Sequence, residues 1–360
     1  MENKVAFVQG RPCAHEMHQK FALSVNSDFY FVDFRMRWQD QHRSIFYRVM
    51  SWFVCAITFP NLKKYNIFYI DNLHFMPVIM KVLRLKRKKQ KIVAHLGSHT
   101  LYFIYSHRFS RLTEKLHIMA LRKYDALICE GLMAEDLVKK ILGEGTPKLY
   151  TVINGIPQGH FPKNEINANK LSSNTILFAG HGPGNERMWY KGLDLMIKAF
   201  DKAKKSKKEL EFVIVGDWDP EIQKRLLQSV AIDSANSIRF VGAANNLENY
   251  FEQAALYLHC ARGEAYGLTV LIAMAYGLPV IVSEWTGAKE VVAQVDKSFI
   301  VELSEDKIAD QIINYFNLPL EKKQTIGQRN RVVGKSYTEE RAVKDFENKF
   351  RKMQSDFNLI

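Results

Sequence analysis

A loop acid followed by the start of a helix is the part of this sequence best suited to hold a charged ligand. Glu264 stands just before Gly267, Leu268 and Thr269, and an apolar helical stretch, a Gly-Leu-Pro stop and a short strand follow. In open α/β sheets this order places the acid and the first helix amides at the carboxyl edge of the strands, where a helix N-terminus favours an anion. The segment therefore predicts a site for a ligand that bears phosphate.

The same segment resembles the donor-binding signature of the family 4 retaining glycosyltransferases, whose GT-B fold has two Rossmann-like domains that face each other. The matching residues are Glu264, Tyr266, Gly267, Leu268, Ala273, Met274, Ala275, Gly277, Leu278, Pro279 and Val280. In that family the first Glu lies beside the transferred sugar, and a second Glu, eight positions later, usually holds the ribose hydroxyls of the nucleotide. Ile272 stands at the second position here. An apolar side chain therefore replaces the usual ribose carboxylate.

Shorter segments extend the resemblance over residues 124–292, and the first 120 residues match only in outline. Segments 124–128 and 152–156 are similar to the end of the family's acceptor domain. Segments 178–180 and 191–195 are similar to the first strand and phosphate-binding loop of its donor domain. Residues 240–242 resemble the strand that binds the nucleotide base, so the resemblance implies a donor contact at Val241.

The resemblance also assigns roles to individual residues. Departure of a nucleoside diphosphate needs positive charge nearby, and Lys191 matches the family's lysine that precedes a glycine. The usual family arginine is replaced by His181, and Arg187, in an inserted stretch, is either its substitute or an exposed loop charge. In the first half, Gly10 ends a strand, which would let the backbone approach the donor phosphate as in the family.

Histidines in the first half are the remaining candidates for chemistry. Family members often place a histidine beside the reacting sugar, and His95, with His99 second, stands in the matching loop. A structural histidine is the alternative. Together with His15 and His18 these residues suggest a metal, but no carboxylate completes a known ligand spacing. We therefore expect no metal site, and GT-B transferases generally need none there.

A glycine-rich turn at residues 180–184 offers the rival interpretation of an NAD-binding site. The fingerprint requires a third glycine where Asn185 stands, and it requires a helix that opens at the turn. The helical pattern begins only near Lys191. We therefore expect no cofactor, with a nucleotide-diphosphate sugar as the substrate.

The length of 360 residues exceeds that of one hydrophobic core and favours two domains. Strand patterns alternate with helical patterns in both halves, which predicts an α/β protein with two doubly wound parallel sheets. We expect a Rossmann-like acceptor-binding domain over residues 1–157 and a Rossmann-like nucleotide-sugar domain over 158–337, facing across a cleft. The resemblance implies that a C-terminal helix over 338–360 packs back on the first domain.

Positive charge is concentrated in the first half of the chain. Residues 1–160 hold 24 Lys and Arg against 12 Asp and Glu, whereas the remainder holds 27 against 26. The excess indicates an anionic membrane surface bound through the N-terminal domain, or a solvated basic face without a partner. The candidate contacts are the basic cluster 84–91 and the aromatic and basic stretch 34–59, for which a buried helix is the alternative. Nucleic acid is disfavoured because no known nucleic-acid-binding motif accompanies the charge.

Four cysteines without paired spacing, and no signal-peptide pattern, favour a reducing cytoplasm. The function expected by resemblance is retaining transfer of a hexose-type residue from a nucleotide-diphosphate sugar to a hydroxyl acceptor. The acceptor would be a lipid-linked or surface glycan assembled at the inner face of the membrane. Two alternatives stay open. One is a GT-B epimerase or phosphorylase; the other is a non-catalytic glycan- or membrane-binding relative with a decayed donor site, which Ile272 favours.

Overall fold

The chain forms two compact units, each with its own sheet. The computed structural model describes residues 4–9, 16–31, 64–71, 75–82, 84, 87–97, 99–162, 167–182 and 184–359. Unit 1 consists of Met1–Asn154 together with Glu340–Ile360, and unit 2 consists of Gly155–Glu339. The boundaries therefore fall at 154/155 and 339/340, instead of the 157/158 and 337/338 positions expected from the sequence.

Unit 1 is built on a six-stranded parallel sheet in the order β2-β1-β3-β4-β5-β6. Its strands are β1 Val5–Gln9, β2 Ser27–Phe31, β3 Ile67–Asp71, β4 Lys91–Leu96, β5 Ala126–Glu130 and β6 Lys148–Val152. β1, β3 and β5 are buried along their whole length, which is typical of parallel strands covered by helices on both faces. The order places a topological switch point between β1 and β3.

Five helices in the described part of the chain connect these strands. They are α1 Glu16–Ser24, α2 Met76–Val82, α3 Thr100–Tyr105, α4 Arg111–Leu121 and α5 Gly131–Leu142. The described part of α2 ends at Val82. Arg84 has a positive φ of 54°, a left-handed conformation that an α-helix does not accommodate.

Unit 2 has a second six-stranded parallel sheet in the order β12-β11-β10-β7-β8-β9. Its strands are β7 Thr175–Ala179, β8 Glu211–Val215, β9 Ile238–Gly242, β10 Leu256–His259, β11 Val280–Ser283 and β12 Ile300–Val301. β7 pairs with β8 on one side and with β10 on the other. The switch point of this sheet therefore lies between β7 and β10, and open α/β sheets bind ligands outside the carboxyl ends of the strands at such a point.

The helices of unit 2 cover both faces of this sheet. They are α6 Gly184–Tyr190, α7 Leu193–Ser206, α8 Pro220–Gln228, α9 Ile232–Ala235, α10 Glu248–Gln253, α11 Leu268–Ala275, α12 Lys289–Val292, α13 Glu305–Phe316 and α14 Leu320–Lys335. Short 3-10 turns occur at Gln158–His160, Ala168–Ser172 and Lys297–Phe299. Among the described residues, no helix is both long and apolar enough to cross a bilayer. The predicted architecture of two doubly wound parallel sheets is confirmed.

The last helix, α15 Glu339–Asp356, contributes to the core of unit 1. The Phe346 ring stacks on Phe21 of α1 with 4.7 Å between ring centroids, and Phe350 and Met353 are buried in the same core. Asp356 accepts a 2.6 Å hydrogen bond from the Tyr150 hydroxyl of β6. The core of unit 1 is thus completed by the C-terminal end of the chain.

Candidate functional site

Three glycines form the carboxyl edge of neighbouring strands in unit 2. Gly180 follows β7, Gly216 follows β8 and Gly242 ends β9; the Gly180 amide donates to Val215 and the Gly216 amide to Gly242, at 2.9 and 2.8 Å. Gly216 has a φ of +127°, and a β-carbon there would overlap the Gly180 carbonyl. The edge is therefore made of backbone, which lets a ligand approach it closely.

Lys191 and Glu264, which sequence reasoning assigned to different parts of a donor, form one ion pair. Lys191 lies after β7 and Glu264 after β10, so the switch point brings them together. The Lys191 Nζ is 2.5 Å from the Glu264 Oε2, and the two side chains are only 10% and 15% exposed. Gly192 permits this approach because its φ is +70° and a β-carbon there would overlap the Cys260 carbonyl.

Both members of this pair are charged at neutral pH. Burial raises the pKa of the Glu264 carboxyl, but the charge of Lys191 and the hydrogen bond to His259 more than offset it, so the pKa lies well below its usual range. Burial lowers the pKa of Lys191, and the Glu264 carboxylate more than offsets that effect and raises it. The site therefore contains a cation and an anion with little water around them, where each exerts a strong electrostatic effect on a ligand.

His259 is a site residue that sequence reasoning missed. It ends β10 and is fully buried, with its Nε2 3.5 Å from the Glu264 Oε2. Burial lowers its pKa, so the ring is neutral at pH 7. The available signal was a single polar side chain that closes the apolar run of residues 254–258.

Arg262 fixes the loop that carries Glu264, and it was also missed. Its guanidinium makes two hydrogen bonds to the Asp194 carboxylate, at 2.6 and 2.9 Å, and a third to the Trp189 carbonyl at 2.6 Å. The Arg262 amide donates to the Tyr190 carbonyl at 2.6 Å. These bonds join the loop before Glu264 to the segment around Lys191, so the ion pair is held from both sides.

The helix start after Glu264 has the geometry expected of an anion site. Gly267 has a φ of +90° and precedes α11, whose first residues are Leu268 and Thr269. The Glu264 carbonyl accepts from Gly287 at 2.9 Å, and the Tyr266 carbonyl accepts from Ala288 at 2.6 Å. The segment that carries the acid and the helix amides is therefore fixed by the chain that follows β11.

Ile272 extends the apolar core. It lies on α11 just over one turn after Gly267, and it is 5% exposed. Its neighbours Leu271 and Ala273 are fully buried. The position that usually carries the second Glu of the family therefore offers a ligand no charge in this protein.

Arg187 belongs to a group of cations around Lys191. Its Nε donates to the His181 carbonyl at 2.8 Å. The Arg187 guanidinium lies 5.5 Å from the centroid of the Tyr190 ring, and the Lys191 Nζ lies 5.3 Å from the same centroid. A short helix, α6, occupies the stretch read from the sequence as a loop, and the helix expected near Lys191 follows it as α7. The inserted residues thus bring Arg187 beside Lys191.

Val241 lines a cavity of about 340 Å³ beside the edge strand β9. Polar side chains provide most of its remaining walls, and they are Arg239, Asn245, Asn246, Asn249, Tyr250 and Gln253. Amide and phenol groups of this kind can donate and accept hydrogen bonds with a polar ligand.

Unit 1 carries a second buried polar cluster, which includes His95. Its members sit at the carboxyl ends of β3, β4 and β5, together with His18 of α1. The His18 ring donates to Asp71 at 2.9 Å and to Glu130 at 2.5 Å. The His95 ring stacks on that of His18 at 3.8 Å and is hydrogen-bonded to the Tyr69 hydroxyl at 2.5 Å.

His18 is an imidazolium held between two carboxylates. Burial lowers its pKa, but the charges of Asp71 and Glu130 more than offset that effect and raise the pKa to about 10. Burial raises the pKa of Glu130, and the charge of His18 outweighs it and lowers the pKa to about 2. The cluster is therefore a charged network with ordered hydrogen bonds.

A carboxylate lies beside two histidines of unit 1, which the spacing of the residues in the sequence did not show. His18, His95 and Glu130 each place a ligand atom within 4.8 Å of the others, as in a metal-ligand set, but the protonated His18 donates hydrogen bonds from both of its ring nitrogens. Sequence spacing did not reveal the set because Glu130 is 112 positions from His18. His95 itself is fully buried, and the His99 ring packs on Phe103 at 4.7 Å.

Four sequence-predicted features lie outside the described residues. They are Gly10, His15, Lys86 of the basic cluster, and the aromatic and basic stretch 34–59. The other predicted site residues of unit 2 come together at the carboxyl edge of its sheet, apart from Val241, which lines the cavity beside β9.

A comparison with protein families finds a match within unit 2. Residues 173–317 match the family model described as glycosyl transferases group 1. This part of the chain is therefore similar to the group 1 glycosyl transferases. The matched range contains Lys191, Glu264 and the whole of α11, so the ion pair and the helix start lie within the matched region. The predicted family resemblance is confirmed.

Two known sequences are similar to parts of this chain. An uncharacterized glycosyltransferase of Haemophilus influenzae is 27% identical over 255 residues, which cover 69% of this chain and 68% of the relative. An exopolysaccharide phosphotransferase of Streptomyces coelicolor is 25% identical over 181 residues, or 49% of this chain and 18% of the relative. The family supports glycosyl transfer as the reaction class.

Solved structures share the fold over nearly the whole chain. Sucrose-phosphate synthase from Thermosynechococcus elongatus has a TM-score of 0.76 at 14% identity, covering 98% of this chain and all of its own. Anabaena HepE in complex with UDP-glucose has a TM-score of 0.71 at 15% identity, with coverages of 98% and 99%. The glycosyltransferase WaaG has a TM-score of 0.69 at 15% identity, with coverages of 94% and 98%. The predicted GT-B fold is confirmed.

Proposed function

We propose that this protein is a retaining glycosyltransferase that transfers a hexose-type residue from a nucleotide-diphosphate sugar to a hydroxyl acceptor. The observation that carries the proposal is the buried Lys191–Glu264 ion pair at the switch point of unit 2, within the region that matches the group 1 family. The pair combines a cation suited to a diphosphate with an anion suited to sugar hydroxyls.

The proposed reaction breaks the bond between the anomeric carbon and the diphosphate oxygen. Negative charge then grows on the leaving diphosphate, and Lys191, with Arg187 beside it, stabilises that charge. The amides of Gly267, Leu268 and Thr269 bind the phosphate at the start of α11. These groups take the place of a metal ion, and no further cofactor is required in this proposal.

Glu264 orients the donor sugar in this proposal. A carboxylate can accept two hydrogen bonds from sugar hydroxyls and so fix the ring. The acceptor hydroxyl attacks from the face that the diphosphate leaves, loses its proton to the departing group or to solvent, and the anomeric configuration is retained. Tyr266 contributes to the donor site by resemblance to the family signature.

A nucleotide sugar is the donor class that the neighbours support. The HepE structures contain UDP with glucose or UDP-glucose, and we extend that class, but no particular base or sugar, to this chain. Val241 is assigned to the nucleotide base by resemblance. Gly10 and His95 of unit 1 are assigned to the donor phosphate and the reacting sugar on the same ground.

The proposed acceptor is a lipid-linked or surface glycan. A cytoplasmic protein held at the inner face of the membrane would meet such an acceptor, and the excess positive charge of residues 1–160 favours an anionic surface. The relative from Streptomyces coelicolor, named an exopolysaccharide phosphotransferase, supports a link to polysaccharide synthesis.

Calorimetry with a panel of nucleotide-diphosphate sugars tests this function. We expect binding of at least one donor, lowered about tenfold or more in Lys191→Met, because a charge-assisted hydrogen bond is lost. Glu264→Gln should weaken the nucleotide sugar more than the free nucleoside diphosphate. Glu305→Gln, an acid of α13 that pairs with Lys198 at the surface, is the control and should bind like wild type.

Product analysis separates the alternatives. Retention at the anomeric carbon of a glycoside product, seen by NMR, supports the transferase, whereas an isomerised donor or a sugar phosphate would indicate an epimerase or a phosphorylase. If no nucleotide or nucleotide sugar binds, the transferase proposal fails and the non-catalytic alternative, which Ile272 favours, replaces it.

A further inference from the structure

Helix α4 of unit 1 presents an apolar stripe to solvent. Leu112, Leu116 and Met119 are 69%, 36% and 44% exposed. Their spacing of four and then three residues places them on one side of the helix. Ala120 and Leu121 point inward and are buried. The helix is therefore apolar on two sides, and the described residues of unit 1 cover only the inner side.

Cations border this stripe. Arg111 and Lys115 are exposed on α4 itself, and Lys123 is exposed just beyond its end. In the described part of the chain none of these three has a carboxylate within ion-pair distance. The only acid of the helix, Glu114, is buried and contacts His107 at 3.2 Å. The outer face of α4 thus combines apolar side chains with positive charge and carries no exposed acid.

We propose that the outer face of α4 is an interfacial docking surface for an anionic lipid bilayer. Leu112, Leu116 and Met119 enter the boundary between headgroups and acyl chains, and Arg111, Lys115 and Lys123 lie among the lipid phosphates. This inference rests on the proposed function in one respect, which is that an anionic membrane is taken as the partner of unit 1. It assigns the contact to a surface that the charge pattern of the sequence did not indicate.

Charge complementarity favours lipid over a second copy of the chain. If two copies paired through this face about a two-fold axis, the same patch of each would meet, and the cations of one copy would oppose those of the other. In a bilayer that contains anionic lipid, the leucines can contact the acyl chains and the basic residues can contact the negatively charged headgroups. The net charge of residues 1–160, with 24 basic against 12 acidic side chains, adds to the attraction.

The structure provides a matched control on the neighbouring helix. Leu132 of α5 is 58% exposed, so a change of Leu132 alters the same kind of exposed leucine. The exposed Asp136, one turn later, pairs with Lys140 at 2.7 Å. That surface is electrically balanced and has no row of apolar side chains. Lys224 is an exposed lysine of α8 and belongs to unit 2, whereas α4 belongs to unit 1.

Co-sedimentation with vesicles tests the proposal on the full chain. Wild type should bind vesicles of phosphatidylcholine with phosphatidylglycerol, bind pure phosphatidylcholine far less, and lose binding as salt rises. The double variant Leu112→Ser, Leu116→Ser should bind about tenfold more weakly, and Lys115→Glu about fivefold or more. Leu132→Ser and Lys224→Glu should bind like wild type.

A fluorescence measurement tests the same contact without relying on a variant that fails to bind vesicles. The emission of Leu116→Trp should shift to shorter wavelength with anionic vesicles, while that of Leu132→Trp should not. Equal binding by the α4 variants and their controls, or no shift at Leu116→Trp, would overturn the proposal. Self-association of wild type that the double variant abolishes would also overturn it, since the face would then join two copies. Donor binding without vesicles should persist in the double variant, so failure of the proposed function is detected separately.

Discussion

The Lys191 ammonium lies 2.5 Å from the Glu264 carboxylate although the residues are 73 positions apart in sequence. The contact exists because β7 and β10, which precede the two residues, are neighbours in the sheet. A cation that follows one strand and an acid that follows the other must then meet at the same edge. The order of strands is therefore what builds the candidate site.

Removal of the lysine should destabilise the protein. Lys191→Met leaves the Glu264 carboxylate buried without its cation, and breaking a buried pair in this way costs about 3 kcal/mol or more. Urea unfolding at neutral pH measures the change. Lys198→Met, which removes one of the two lysine partners of Glu305 at the surface, should cost less than about 1 kcal/mol. Equal losses in the two variants would mean that the Lys191 pair is not a buried one.

The imidazolium of His18 should make the stability of the protein depend on pH. Its pKa is about 10 in the folded protein and about 6.5 in an unfolded chain. A raised pKa gives a stabilising contribution that is complete below the unfolded value and is lost as pH rises through the folded value. The free energy of unfolding of wild type should therefore fall between neutral pH and pH 10.

His18→Gln is the variant that isolates this effect. It should be less stable than wild type at neutral pH by about 3 kcal/mol or more, because Asp71 and Glu130 lose the cation between them. The difference should narrow as pH approaches 10, since wild type then loses the same charge. If the difference in free energy of unfolding between wild type and His18→Gln stays constant from neutral pH to pH 10, His18 is not protonated in the folded state.

A carboxylate at position 272 should restore a ribose contact. Ile272 is buried on α11, so Ile272→Glu should lower the stability of the unliganded protein by about 1 to 3 kcal/mol. By resemblance to the family, the new carboxylate should bind the ribose and raise nucleoside diphosphate affinity about tenfold. Calorimetry compares it with Ile272→Leu as the apolar control. No gain in affinity would indicate that the ribose does not lie beside α11.

The clamp made by Arg262 should be intolerant of lysine. Arg262 binds Asp194 through two nitrogens and also reaches the Trp189 carbonyl, a planar arrangement that a lysine ammonium does not reproduce. Arg262→Lys should therefore lower stability by about 1 to 3 kcal/mol and weaken donor binding, although Arg262 is assigned no contact with the donor. Arg329→Lys, at an exposed position of α14, is the matched control. Donor binding unchanged in Arg262→Lys would remove Arg262 from a positioning role.

The strands of unit 2 could be read from the sequence. Thr175–Ala179, Glu211–Val215 and Leu256–His259 follow the strand pattern of the sequence, because each is a short apolar run with polar or turn residues on both sides. Helix α4 could not be read in this way. Its outer residues Leu112 and Leu116 are as apolar as the inner ones, which removes the one-sided pattern that marks a surface helix.

The site residues were predictable one at a time and not as a set. The resemblance pointed to Lys191 and Glu264 separately, and their pairing follows only from strand order. His259 and Arg262 were missed because a polar strand end and a loop arginine have no distinctive spacing. Glu130 was missed because its partner His18 lies 112 positions away, on α1, whereas Glu130 ends β5.

The position of α15 has a consequence for synthesis on the ribosome. Phe346, Phe350 and Met353 fill the core of unit 1, so the first 154 residues leave the ribosome without the side chains that close their own core. During synthesis the N-terminal domain of a protein usually folds first. Here unit 2 leaves the ribosome with all of its strands, so it can fold before unit 1 is complete. The N-terminal half of this protein must therefore wait for its last helix, and a nascent chain stalled before residue 340 would expose an unfinished hydrophobic surface to chaperones.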